Sequence, residues 1–181
     1  MPVIEEIKEI EHEPMDDGDL RYYLGDNLRL LTYNELKKYK SIEELLPDNK
    51  SHIILLYPVV SPTNGHYCII YRLNDVIYYS CSYGMKVDAP LSFNDKYKDT
   101  PKLLSHLLNK SNFPVYYNTI CFQDKRDSKI ATCGSYAIFF ILCMLEFNAN
   151  LGESIQLLQT LKKQNDNLSY DDIVVLYINK R

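Results

Sequence analysis

The chain has 181 residues, a formal charge of −4, 46% hydrophobic and 24% charged residues, 16 tyrosines and no tryptophan. That make-up fits one globular domain with a sizeable core, and it excludes a disordered or fibrous chain. Net negative charge gives no general attraction to nucleic acids or anionic membranes, so a nucleic-acid activator is not supported.

Residues 1–19 carry acidic side chains throughout, with Lys8 as the only basic residue. They are expected to be a mobile acidic tail. Ile4, Ile7 and Ile10 recur every third residue and offer the alternative of an amphipathic helix that docks on the rest. No apolar signal-peptide core is present. Residues 20–181 are read as a single domain.

Thr32-x-x-Glu35 and Ser41-x-x-Glu44 are capping boxes, which predict short helices over residues 33–39 and 42–46. A continuous apolar, β-branched run over 53–60 predicts a buried strand. Two further strands, 67–72 and 76–81, flank Asn74-Asp75, a hairpin signal. Thr100-Pro101 is read as the N-cap and first residue of a helix carrying Leu103, Leu104, Leu107 and Leu108 on one face. Residues 115–118 predict one more strand. An apolar run over 136–145 is far shorter than the roughly twenty residues needed to span a bilayer, so it reads as a buried central helix. Helices over 153–164 and 170–179 follow, the second capped by Ser169. The pattern predicts an α+β fold, a small mixed sheet packed on a central apolar helix with flanking helices.

The five cysteines, at 68, 81, 121, 133 and 143, are odd in number and contain no C-x-x-C pair. They read as reduced thiols in an intracellular setting, with no metal or cofactor implied. Cys133 differs from the others by its place. Thr132 is a candidate N-cap, so Cys133 falls in the first turn of the apolar helix, where the dipole and unpaired N–H groups favour a thiolate. Gly134 beside it would let a substrate backbone approach. Cys143, inside the helix, reads as a small buried hydrophobe. His66 follows Asn64-Gly65 at a strand entrance, a place suited to a general base. His12, His52 and His106 have no such context. Gln123, ten residues before Cys133, offers an amide N–H₂ that can hydrogen-bond an oxyanion. Base, oxyanion donor and nucleophile thus follow in the order His66, Gln123, Cys133.

Gly65-His66-Tyr67, the stretch Tyr78-Tyr79-Ser80-Cys81-Ser82-Tyr83-Gly84, Phe122-Gln123 and Thr132-Cys133-Gly134 together resemble the adenovirus-maturation-protease and SUMO-protease superfamily of cysteine peptidases. The versions encoded by virophages and large DNA viruses look most similar. There the motifs read Gly-His-Trp, Tyr-Phe-Asp-Ser-Tyr-Gly, a Gln and Thr-Cys-Gly. The resemblance covers about residues 30–147 and implies His66 as base, Cys133 as nucleophile and Gln123 as oxyanion donor. It further implies a thiol endopeptidase acting on a polypeptide, most simply a viral capsid precursor, in the host cytoplasm and virion, with no membrane partner. Removal of ubiquitin-like modifiers and an inactive binding protein are the alternatives.

One departure stands out. Where the family has the Asp that orients the histidine, this chain has Cys81, so the third-member position lacks a carboxylate. A self-supporting Cys–His dyad is the favoured reading. Entry of another acid, Asp75 or Asp88, and a weakened enzyme are the others.

Overall fold

The structure, a computed structural model, describes residues 4–127 and 129–180. In chain order the elements are α1 (Ile4–His12), α2 (Asp17–Leu24), β1 (Leu30–Thr32), a 3₁₀ turn (Tyr33–Lys38), α3 (Ile42–Leu45), β2 (His52–Ser61), β3 (Asn64–Leu73), β4 (Val76–Cys81), a second 3₁₀ turn (Ala89–Phe93), α4 (Leu103–Asn109), β5 (Val115–Tyr117), α5 (Cys133–Phe147), α6 (Leu151–Gln164) and α7 (Tyr170–Asn179). The fold is α+β, as the sequence predicts. Five strands form one mixed sheet in the order β1 to β5. β2, β3 and β4 are antiparallel, while β1 and β5 run parallel to their neighbours. The β3–β4 turn places Asn74 and Asp75 at φ 51° and 59°, the left-handed pair of a type I′ hairpin.

β2 explains why the sheet is covered twice. Ile53, Leu55 and Tyr57 face a core built with the first 3₁₀ turn, α3 and α4, whereas Ile54 faces the core around α5. A continuous apolar run marks a strand buried on both faces, and that is its situation here. The sequence anticipates the α5 side; the second layer is additional. α5 is apolar all round because α2, α6, α7 and β3 surround it. Each fully buried Ile, Leu or Phe of that helix contributes about 1.5–3 kcal/mol by leaving water. Among the described residues, no single helix is long and apolar enough to cross a membrane.

Several expectations need correction. The segment expected as a mobile acidic tail carries α1 and the start of α2, and α1 packs on α7 with Ile7 buried. The every-third isoleucine spacing was the informative signal there; residues 1–3 lie outside the described residues. α4 starts at Leu103, not at Pro101. Its first donors go to buried tertiary partners: Leu103 N–H to the Tyr33 hydroxyl (2.7 Å) and Ser105 N–H to Asp88 Oδ2 (2.9 Å). A local cap at Thr100 is therefore unnecessary. Residues 33–38 form a 3₁₀ turn, though the Thr32–Glu35 box is made. α6 starts at Leu151, two residues before the expected start, with Asn150 as its cap, and Ser169 caps α7 as read.

Candidate active site

His66 is the third residue of β3, already inside the strand. Gly65 before it pairs with Pro58 of β2 at a register irregularity. A Cβ at Gly65 would lie 1.8 Å from the Tyr57 carbonyl oxygen, so only glycine lets the two strands close at this point. The His66 ring is 5% exposed, stacks on Tyr83 (4.9 Å, 22°) and meets the edge of Phe93 (5.6 Å, 77°). Two aromatic neighbours and a strand backbone thus fix its plane.

Cys133 opens α5 and is half-buried. Thr132 occupies the N-cap position without capping through its side chain. Its hydroxyl instead donates to Asp171 Oδ1 of α7, whose Oδ2 accepts from Asp124 N–H at 3.1 Å. One buried carboxylate therefore ties down the approach to Cys133 and the loop after Gln123. Ala131 N–H, two residues before Cys133, donates to the Glu11 carbonyl at 2.7 Å. Gly134 serves a different purpose from the one expected. A Cβ there would stand 3.0 Å from Met15 Cβ and 3.1 Å from its sulfur, so the missing side chain admits Met15.

Cys133 and His66 line the same cleft, and each favours the charged form of the other. Burial by itself disfavours the thiolate, but His66 and the N–H groups of Tyr67 and Gly134 outweigh it and bring the Cys133 thiol below its usual range. Burial likewise disfavours the imidazolium, and hydrogen bonds to Cys133 and then Cys81 reverse that, raising His66 to about 10. The pair is arranged for a thiolate–imidazolium state.

Gln123 is 2% exposed. Its Oε1 accepts from the Ser82 hydroxyl at 2.7 Å, and its Nε2 donates to the Ile130 carbonyl at 3.1 Å. A carbonyl can only accept, so the amide orientation is settled, and one of the two Nε2 hydrogens remains for another acceptor. His66, Gln123 and Cys133 line one open cleft of about 530 Å³ with Met15, Val60 and Phe93 on its walls. All three sequence-predicted residues meet there.

Cys81 lies behind the ring, its sulfur 3.3 Å from His66 Nε2. Neither alternative acid reaches the site. Asp75 pairs with Arg72 at the hairpin turn, and Asp88 accepts from Tyr33, Tyr57 and Ser105. Sequence reasoning missed Cys68, although its place two residues after His66 put it on the same strand face. It pairs in register with Cys81 across β3 and β4. Cys68 also accepts from the Tyr79 hydroxyl at 3.3 Å. The ligand-type atoms of His66, Cys68 and Cys81 fall within 4.8 Å of one another. Mutual hydrogen bonding accounts for that approach, and we assign no metal ligands. Asp171 was missed too, since nothing in its local sequence points forty residues back to Thr132.

No protein-family model matches the chain. It is similar to "Uncharacterized protein V9" of Sputnik virophage, 28% identical over 145 residues that cover 77% of this chain and 81% of that protein.

Proposed function

We propose that the protein is a cysteine peptidase. The observation that carries the reading is the meeting of His66, Cys133 and the Gln123 amide in one open cleft, the thiol standing at the N-terminus of a buried helix. The Cys133 thiolate attacks a peptide carbonyl carbon. The oxyanion is stabilised by a Gln123 Nε2–H and the N–H of Cys133, which as a first-turn donor has no acceptor within α5. His66 gives its proton to the leaving amine, then takes one from the water that hydrolyses the thioester.

Similarity to a virophage protein and the motif resemblance direct the substrate choice to viral structural precursors, cleaved in the host cytoplasm or assembling virion. Exposed Val60 and Phe93 at the cleft give a polypeptide apolar surface to lie against. The test is to incubate the protein and Cys133→Ala with a mixture-based peptide library and with a ubiquitin-like modifier conjugate. Cleavage of internal peptide bonds by the wild type alone is expected. Cleavage of the conjugate alone would replace endopeptidase with deconjugation, and equal inertness of both proteins would overturn the reading.

A further inference from the structure

We infer that Cys81 is a positioning residue that acts as a thiolate, taking the place of a carboxylate behind His66, and that Tyr79 and Cys68 are the donor relay that keeps it ionised. This rests on the peptidase reading of His66 and Cys133.

The Tyr79 hydroxyl donates to Cys68 Sγ. Cys68 stands directly opposite Cys81 in the sheet, its sulfur within 4.8 Å of the Cys81 sulfur, and it has one hydrogen of its own to give. His66 Nε2 lies 3.3 Å from the same sulfur, and we place the ring hydrogen there, leaving Nδ1 for the cleft. A Cys81 thiol between these two donors would have its own hydrogen facing one of them, whereas a thiolate accepts from both. The cross-strand register of Cys68 and Cys81 sets their approach by backbone pairing, so it does not depend on side-chain choice. Tyr79, Cys68 and Cys81 are at most 1% exposed, so no water competes for these bonds.

The relay has a consequence for the ring. With Nε2–H committed to Cys81, Nδ1 is left for Cys133, which is the tautomer a general base needs. A negative sulfur also stabilises the imidazolium once it forms, as a carboxylate does. The hydrogen bond from Cys68 foremost, and His66 against burial, bring Cys81 down to about 4. That lowering agrees with the thiolate that the arrangement of donors points to.

The experiment separates this inference from the peptidase reading. Ultraviolet thiolate absorbance of the Cys133→Ala protein is recorded against pH, with Cys133→Ala/Cys81→Ser as the reference. One thiolate at neutral pH that disappears in the reference is expected, whether or not the enzyme cleaves anything. Its absence overturns the inference. On the active background, Cys81→Ser keeps the size of the side chain and should lower kcat by about 10²-fold with little change in KM, and slow alkylation of Cys133 at neutral pH. Cys81→Asp should restore both. Cys68→Val removes the relay hydrogen and should move the acid limb of the pH profile upward. A Cys81→Ser enzyme with unchanged kcat and pH profile would overturn the inference even if the peptidase reading stands.

Discussion

Cys133 carries its reactivity in its surroundings, and alkylation reads those directly. Iodoacetamide at neutral pH should label Cys133 well ahead of buried Cys68 and Cys143 and of exposed Cys121, whose thiol is raised by partial desolvation. Peptide mapping with no preference for Cys133 would remove it as the nucleophile. His66 lies above its unfolded value of about 6.5, so its charge contributes stability fully below that pH, a contribution lost as pH rises through about 10. Thermal unfolding from neutral pH to about 10 should therefore show a steeper decline for the wild type than for His66→Gln. Gln123 serves two purposes, and its variants must respect both. Gln123→Ala should lower turnover by about 10–10³-fold. It also strands the Ser82 hydroxyl, at a cost of about 1–3 kcal/mol. Gln123→Glu keeps the Ser82 acceptor but loses the bond to the Ile130 carbonyl along with the free N–H, so lost turnover in a variant that is still folded at the assay temperature would mark the amide as an oxyanion donor. His66, Gln123 and Cys133 were legible because motif order survives without coordinates. Cys68 and Asp171 were not, because a cross-strand partner and a distant carboxylate leave no trace in local pattern.

The docking of α1 on α7 sets a pH dependence of its own. Glu11 is fully buried, its Oε2 bonded to Lys8 at 2.9 Å, and Lys8 also pairs with Asp172 of α7 at 3.0 Å. Burial, with Asp172 alongside, raises Glu11 to about 7. A carboxyl raised on folding favours the native state in its protonated form, so its contribution is full below about 4.5 and is lost as pH rises through about 7. Hydrogen-exchange protection of residues 4–12, taken relative to the intrinsic base-catalysed rate at each pH, should accordingly fall between about pH 5 and 8, and Glu11→Gln should abolish that fall. Protection that is independent of pH in both proteins would show that Glu11 does not govern the docking. Elements with self-contained signals were legible: the hairpin turn at Asn74-Asp75, the box at Thr32, the cap at Ser169, and the apolar run of α5. The start of α4 was not, because Tyr33 and Asp88, far away in sequence, supply what Thr100 was expected to give.

At the scale of the molecule, a sheet covered on both faces makes β2 and β3 the shared wall of two cores, and His66 stands on that wall. Gly65→Ala should thus act beyond its own position. The close approach to the Tyr57 carbonyl forces the strands apart, with an expected loss of about 1–3 kcal/mol from the distorted packing and the displacement of His66. A soluble Gly65→Ala protein with wild-type melting temperature and wild-type alkylation of Cys133 would contradict this placement of strain. The bond from Thr132 to Asp171 has a further meaning when the molecule is considered during synthesis. A growing chain contains His66, Gln123 and Cys133 before it contains Asp171, so the Thr132 bond to Asp171 forms only once α7 has been made and has docked. On the peptidase reading, a product truncated before α7 should carry all three groups of the cleft yet show impaired turnover.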